Sequence, residues 1–180
     1  MPTRWTMSPA TFLSRQKEMR SINLVVLSRP EIESRHFRLL APYAVLSITS
    51  PRQSKTKIRR HGLCLGVLRL VFNDAEPTAS FELPPNIKIM SKRQATIIWR
   101  FVLRHVDSVS TIVVHCEAGF SRSPAVAAAI CRCLGHEDRF FFANFHPNMH
   151  VYRLLLDTKP PGANLLRQPR TSLVVQVGSL

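Results

Sequence analysis

Short apolar runs alternate with amphipathic stretches along most of the chain. The apolar runs occupy residues 22–30, 41–51, 63–72 and 111–116, and proline, glycine or polar residues bound each of them. Runs of this length predict buried strands. The run at 63–72 is apolar on both of its faces, which predicts a central place for it in a sheet.

Four helices are predicted between and after these runs. Apolar residues at helical spacing predict one over about 90–105, with Ser91 as its N-cap, and an alanine-rich one over 124–135. A short helix is expected over 30–40 and a last one over 146–157. Because strands alternate with helices, the pattern predicts an α/β protein with a mainly parallel sheet.

The length of 180 residues favours a single folded domain, which we expect to span 21–157. Residues 1–20 have no apolar period, and we interpret them as a flexible N-terminal extension. Residues 158–180 contain several prolines and are interpreted as a C-terminal tail, ordered at most near 173–177. An apolar content of 45% with a charged content of 20% excludes a disordered chain.

The net charge of +14 predicts that the protein attracts anions, whether phosphorylated ligands, nucleic acid or acidic membranes. The excess is uneven, because residues 1–60 hold 12 basic and 3 acidic side chains. A solubilising surface would explain the same excess equally well. We interpret the basic run at 55–60 as a solvated loop.

Four cysteines without a Cys-x-x-Cys pair predict reduced thiols in a cytosolic protein rather than a disulfide scaffold or a zinc ribbon. No apolar run reaches the roughly 18 residues that a membrane span needs. The N-terminus also lacks the uninterrupted apolar region of a secretory signal. The expected location is therefore cytoplasmic, and the expected state is a monomer.

The chemistry concentrates in one segment, TIVVHCEAGFSRSPAVAAAI at 111–130. Here a predicted strand leads through a turn into a predicted helix, with Cys116 ending the strand and Arg122 beginning the helix. The amides of such a turn and the helix N-terminus bind anions, and Arg122 can hold two phosphate oxygens. The same positive field favours a thiolate at Cys116, while Gly119 permits a close backbone approach. A thiolate that faces a bound phosphate is a nucleophile for phosphoryl transfer.

The string HCEAGFSRSP, with five residues between Cys116 and Arg122, resembles the signature of the cysteine-dependent protein tyrosine phosphatases. It is most similar to their dual-specificity branch, and with looser matches the resemblance covers about 41–157. It implies a sheet of four or five strands flanked by helices, in agreement with the pattern above. It also implies a phosphomonoesterase with no metal or organic cofactor, since the loop itself neutralises the phosphate charge.

The resemblance implies a role for each residue of the motif. Cys116 would attack phosphorus and form a cysteinyl-phosphate, Arg122 would hold the equatorial oxygens, and Ser123 would help the thiolate to leave. His115 would orient the loop and help to keep the thiol ionised. The backbone amides that would bind the phosphate are those of Glu117, Ala118, Gly119, Phe120, Ser121 and Arg122.

Two loop residues depart from the usual pattern of the family. The carboxylate of Glu117 would oppose thiolate formation if it faced the phosphate, so we expect it to point to solvent. Phe120 is bulkier than the usual aliphatic residue and would narrow the pocket mouth or stack on an aromatic substrate. No separate tyrosine-recognition segment is evident, so phosphotyrosine, phosphoserine and phosphothreonine all stay open as substrates.

The family uses an aspartate on a mobile loop before the cysteine as its general acid. Asp74 is the candidate here because it follows the predicted strand at 63–72. Glu76 is the alternative, and an enzyme without a placed acid is the third interpretation. Asp107 would emerge at the wrong end of its strand.

The substrate class also stays open. The expected partner is a phosphorylated protein, with RNA 5′-phosphates or phosphoinositides as alternatives that only the net charge favours. A module that binds phosphate without turnover is a further interpretation, which a misplaced acid would favour. We interpret the other cysteines (Cys64, Cys131 and Cys133) mainly as core residues, and any of them is a weaker candidate for trapping oxidised Cys116 as a disulfide.

Overall fold

Each of the four apolar runs forms a strand in the computed structural model of the chain. The structure describes residues 22–78 and 82–160, and the backbone of 175–177. The strands are β1 (Asn23–Leu27), β2 (Tyr43–Thr49), β3 (Cys64–Val71) and β4 (Thr111–His115), with a short fifth strand, β5 (Val175–Val177).

The strands form one sheet in the order β3-β2-β4-β1-β5, and every neighbouring pair is parallel. Val113 in β4 lies opposite Val25 in β1 on one side and Val45 in β2 on the other. The predicted α/β class with a mainly parallel sheet is therefore confirmed. Parallel pairing brings the carboxyl ends of all these strands to the same edge of the sheet.

The predicted central place of the run at 63–72 is wrong. Within the described residues β3 pairs only with β2, which makes it an edge strand. One face of β3 packs against the helix at Lys92–His105, where a Cβ at Gly66 would meet His105 at 2.6 Å. The other face leaves Leu65 and Val71 about half exposed. An apolar run thus indicates a strand, but it does not show whether one or both faces of that strand are covered.

The helices differ from their predicted bounds mainly at the ends. Ser91 is the N-cap of the second helix as predicted, and it forms a capping box with Gln94. The short first helix ends well before residue 40, and the phenylalanine-rich segment Arg139–Asn144 forms a helix that was not predicted. The helices are α1 (Arg29–Glu33), α2 (Lys92–His105), α3 (Arg122–Cys133), α4 (Arg139–Asn144) and α5 (Met149–Asp157).

Two hydrophobic layers hold the helices on the sheet. The larger layer lies between one face of the sheet and helices α2, α3 and α5. Within it the indole of Trp99 is fully buried, and its Nε1 donates to the Leu155 carbonyl at 2.9 Å. The smaller layer packs Ile32 of α1 and Phe37 against Tyr43 on the opposite face. Burial of each large apolar side chain contributes about 2 kcal/mol.

The terminal segments were predicted to be an extension and a tail. Residues 1–20 lie outside the described residues, as does most of 158–180. Within that tail, Val175–Val177 pairs in parallel with β1 and adds a fifth strand to the sheet. None of the helices formed by the described residues is long and apolar enough to cross a membrane.

Candidate active site

The candidate site lies where the carboxyl ends of four parallel strands meet. Strand β4 leads directly into Cys116, and β1 leads into Ser28. Ser50 follows β2, and Asp74 lies shortly after β3. This edge of a parallel sheet is where α/β proteins commonly bind ligands. The topology therefore collects residues from distant parts of the sequence around the cysteine.

The sulfur of Cys116 is buried inside the loop that follows β4. The amide of Gly119 donates to Sγ at 3.3 Å, and the hydroxyl of Ser123 donates to it at 3.1 Å. Cys116 itself is 1% exposed. Two hydrogen-bond donors thus converge on the sulfur, an arrangement suited to a negatively charged thiolate.

Gly119 lets this loop pack tightly against the end of β1. Its φ of 71° lies in the left-handed region, where a side chain is disfavoured. A Cβ at this position would lie 2.8 Å from the Ser28 backbone nitrogen and 2.9 Å from the Leu27 carbonyl carbon. Both the conformation and the contact therefore require glycine.

Arg122 is the first residue of α3, and its guanidinium is fixed in place. The side chain is 4% exposed. Its Nη1 donates to the Phe72 carbonyl at 2.9 Å and to the Ser50 hydroxyl at 3.0 Å. Its buried Nε has no hydrogen-bond partner among the described residues. The guanidinium is thus oriented by the ends of β2 and β3, and its Nε faces the Asp74 carboxylate at 3.6 Å.

The N-terminus of α3 has no side-chain cap. Ser121 occupies the N-cap position, but its side chain accepts no hydrogen bond from the first turn of the helix. Instead its hydroxyl donates to Asp74 Oδ1 at 2.7 Å. The first amides of α3 therefore stay available to an anion, which the helix dipole also favours.

Asp74 lies beside this loop although it is distant in sequence. Its Oδ1 accepts hydrogen bonds from Ser121 and from Asn148 Nδ2, the latter at 2.9 Å. Its Oδ2 lies 3.6 Å from Arg122 Nε, and the side chain is 35% exposed. The structure thus brings Asp74 together with the loop of Cys116, through the parallel arrangement of β3 and β4 about β2.

Asn148 was not singled out from the sequence, yet it joins three parts of the site. It is buried, and its Nδ2 donates to Asp74 and, at 3.4 Å, to the Ala75 carbonyl. Its backbone amide donates to the Ser121 carbonyl at 3.2 Å, and its Oδ1 caps α5 by accepting from the Val151 amide at 3.0 Å. An asparagine before a predicted helix indicates an N-cap, but only the fold reveals the contact with Asp74.

The other two acidic candidates lie away from the sulfur. Glu76 Oε1 accepts from the amide of Met149 at 2.8 Å, at the start of α5. Asp107 is exposed in the turn between α2 and β4, at the amino end of that strand. Asp74 is the acidic side chain of the three that contacts Arg122.

His115 is fully buried directly before the cysteine. Burial lowers the pKa of its imidazole to about 4, so the ring is neutral at pH 7. Its Nδ1 lies 3.4 Å from the Cys116 carbonyl oxygen. An effect of His115 on the thiol would therefore run through this contact with the loop backbone and not through a positive charge.

Glu117 does not point freely to solvent as expected. Its side chain is 29% exposed, and Oε2 lies 3.5 Å from Arg29 Nη1. The guanidinium of Arg29 attracts the carboxylate towards α1. Phe120 is 46% exposed at the rim of the loop, where its ring stacks on His146 with centroids 4.8 Å apart.

The remaining cysteines are separate from the loop. Cys131 and Cys133 are buried in the last turns of α3. Burial raises the pKa of the Cys131 thiol to about 12, and it raises the pKa of the Cys133 thiol above its ordinary value. At 1.5 Å per residue, Cys131 lies about 13 Å along the helix from Arg122. Because the Cys116 sulfur lies 3.1 Å from the Ser123 hydroxyl, in the first turn of this helix, Cys131 is beyond the reach of a disulfide with Cys116. Within 22–78 and 82–160, no cluster of three His, Cys, Asp or Glu side chains is arranged to hold a metal ion.

Comparison with solved structures identifies three similar chains. No family model and no curated protein matches the sequence. The crystal structure of Tk-PTP in the active form resembles the chain with a TM-score of 0.43 and 15% sequence identity, over 78% of this chain and 95% of that one. A likeness of this degree does not bear on function.

Proposed function

We propose that this protein is a cysteine-dependent phosphatase that hydrolyses phosphomonoesters through a cysteinyl-phosphate. The observation that carries the proposal is the environment of Cys116, whose sulfur receives two hydrogen bonds inside the loop that follows β4. A buried thiol without a chemical role would not be surrounded by donors, an uncapped helix N-terminus and a buried arginine.

Phosphate binding would use the backbone amides of 117–122 and the guanidinium of Arg122. The fixed position of Nη1 on Phe72 and Ser50 supports this role, because a preorganised donor need not reorient during the reaction. Negative charge on the phosphate would also be stabilised by the first turn of α3. The loop would therefore neutralise the equatorial oxygens without a metal ion.

In the first step, the Cys116 thiolate attacks phosphorus, and the bond between phosphorus and the leaving oxygen breaks. Asp74 donates its proton to that oxygen, so the product leaves as an alcohol or a phenol. Because Oδ1 of Asp74 already accepts two hydrogen bonds, Oδ2 is the oxygen that would hold the proton.

In the second step, water attacks the phosphorus of the cysteinyl-phosphate and the sulfur–phosphorus bond breaks. The Asp74 carboxylate accepts a proton from the water, and the electron pair of the broken bond returns to sulfur. Ser123, whose hydroxyl lies 3.1 Å from Sγ, would stabilise the departing thiolate. The products are inorganic phosphate and the regenerated enzyme.

We infer that the substrate is a phosphorylated protein, on phosphotyrosine, phosphoserine or phosphothreonine. The exposed ring of Phe120 at the rim supports a substrate with an apolar or aromatic group beside the phosphate. RNA 5′-phosphates and phosphoinositides are the second candidate, supported by the net charge of +14. A protein that binds phosphate without turnover would have the same loop but would not hydrolyse a phosphomonoester.

The test uses C116S and D74N on two substrates, an activated aryl phosphate and a phosphopeptide. C116S should abolish hydrolysis of both and should still bind orthovanadate, because the amides and Arg122 survive. D74N should slow the phosphopeptide by about 10²–10⁴-fold, the usual contribution of a general acid. It should slow the aryl phosphate much less, since a good leaving group needs no proton.

C131S is the matched control, because it removes a buried thiol of the same chain outside the loop. It should hydrolyse both substrates like the wild type. Turnover by C116S above a few per cent would exclude Cys116 as the nucleophile, and binding of orthovanadate without hydrolysis by the wild type would favour the binding module. If the wild type hydrolysed RNA 5′-triphosphate faster than the phosphopeptide, the substrate would be RNA and not a phosphorylated protein.

A further inference from the structure

Glu117 places a carboxylate directly after the cysteine. A negative charge at this point opposes both a thiolate at Cys116 and a phosphate dianion in the loop. The side chain is 29% exposed, but its Oε1 is buried without a hydrogen-bond partner among the described residues, so water solvates the carboxylate only in part. The site therefore needs a cation that holds this carboxylate.

Arg29 is the cation that contacts it. Arg29 Nη1 lies 3.5 Å from Glu117 Oε2, and the Arg29 side chain is 16% exposed. The same residue also holds the backbone of the loop, since its amide donates to the Glu117 carbonyl at 3.0 Å. Arg29 thus contacts both the charge and the main chain of the residue that follows the nucleophile.

Two further contacts keep the guanidinium of Arg29 in place. Its Nε pairs with Glu33 Oε1 at 3.1 Å, one turn along α1, and its Nη2 donates to the Ser54 hydroxyl at 2.8 Å. Ser54 belongs to the segment after β2, so Arg29 connects the ends of three strands. An arginine with three oriented nitrogen atoms is better suited to this task than a flexible lysine.

We propose that Arg29 is a positioning residue for the reaction, acting through Glu117. It offsets the charge of the Glu117 carboxylate and draws it away from the phosphate. This proposal rests on the proposed function. Arg29 would change the fraction of Cys116 that is ionised, and this fraction can be measured without turnover.

Other charged and titratable groups also face this loop, and any test has to separate their effects from that of Arg29. Arg122 and Asp74 belong to the site itself, and His115 is buried and neutral at pH 7. Glu33 and Lys57 lie behind Arg29, where the Lys57 amide donates to Glu33 at 2.9 Å. A substitution of Arg29 leaves all of these in place, as does a substitution of Glu117.

The experiment compares R29M, E117Q and the double variant R29M/E117Q. For each, the ionisation of Cys116 is followed by the ultraviolet absorbance of the thiolate against the same variant carrying C116S. The pH–rate profile on the aryl phosphate is measured in parallel. R29M should move the thiolate titration and the acidic limb to higher pH by about one unit, a change of about tenfold in the ionisation equilibrium.

The double variant should restore most of this shift, because Arg29 is then no longer needed to offset a carboxylate. E117Q alone should move the titration to lower pH, and R29K should recover only part of the loss. R38M, which removes an exposed arginine from the segment after α1, is the control and should behave as the wild type.

The proposal is overturned if R29M leaves the titration unchanged, or if the double variant titrates like R29M. A loss of stability alone would show as a lower melting temperature in R29M and in the double variant alike, without restoration. Failure of the proposed function would appear differently, as a wild-type protein that forms the thiolate but hydrolyses no phosphate.

Discussion

Side chains alternate between the two faces of a strand, so the adjacent residues His115 and Cys116 lie on opposite faces of the sheet. Val114 and Cys116 face the larger hydrophobic layer beneath α3, while Val113 faces the layer of α1. His115 follows Val113 on that side, is fully buried and has no hydrogen-bond partner for its Nε2 among the described residues. Protonation of this buried ring costs free energy, and the stability of the fold therefore depends on pH through His115.

Acid should therefore destabilise the fold partly through His115. In the folded state its pKa is about 4, below the ordinary value of 6.5 that it regains on unfolding. Between these values the unfolded chain binds a proton that the folded chain does not, so stability falls as the pH is lowered from about 6.5 to about 4. The full loss amounts to about 3 kcal/mol.

H115N isolates this contribution, since asparagine does not titrate. Urea unfolding of both proteins across this pH range should show the wild type losing about 3 kcal/mol more than H115N. Carboxylates that protonate in the same range affect both proteins equally. Parallel stability curves for the two proteins would contradict the assignment.

The residues of the site differ in how far the sequence reveals them. Cys116, Arg122 and Ser123 lie within eight residues of one another, and their strand–loop–helix context is a local pattern. Asp74 can be predicted only together with the expectation that β3 and β4 run parallel. Arg29 and Asn148 have no such signal, because their roles arise from contacts between segments distant in sequence.

At the scale of elements, the start of α5 holds the segment that contains Asp74. Asn148 donates to Asp74 and Ala75, and the first amide of α5 donates to Glu76. The sequence predicted this helix but placed its start three residues early, where His146 and Pro147 in fact form the approach to the loop. Edge strand β3 was predicted to be central because its run is apolar on both faces, but one of those faces is left partly exposed.

Substitution of Asn148 should separate positioning of the acid from capping of α5. N148A removes both contacts, and it should lower stability by about 1 kcal/mol, the usual cost of losing a cap. N148S keeps a capping oxygen but is too short to reach Asp74. Both variants should slow phosphopeptide hydrolysis by about tenfold, corresponding to one lost hydrogen bond to a charged group.

The control is the activated aryl phosphate, whose hydrolysis should change little in N148S. In a D74N background, N148S should cause no further loss, because the hydrogen bond then no longer serves an acid. Additive losses in the N148S/D74N double variant would show that Asn148 acts on the loop by another route.

At the scale of the whole molecule, the chain is strongly basic, and the proposed function requires its candidate site to bind an anion. The net charge is +14, and the segment that follows β2 at the site's edge of the sheet adds exposed cations. Arg52 and Lys55 in this segment form no ion pair with any described residue, and Arg52 has a φ of 69°. The segment begins at Ser50, which contacts Arg122, so these charges lie on the approach to the loop.

This distribution predicts that catalytic efficiency on an acidic phosphopeptide falls steeply with ionic strength. Electrostatic steering raises association rates by about 10–10³-fold, and the interaction is screened over about 10 Å at 0.1 M salt. We expect kcat/KM for the acidic peptide to fall about tenfold or more across such a titration. A phosphopeptide with basic flanks and a small aryl phosphate should respond much less.

R52Q/K55Q should flatten the dependence for the acidic peptide, whereas R100Q/R104Q, an equal loss of charge on exposed positions of α2, should preserve it. If both double variants respond alike, the net charge and not the segment after β2 attracts the substrate. If the acidic and basic peptides show the same salt dependence, steering by the positive surface is excluded.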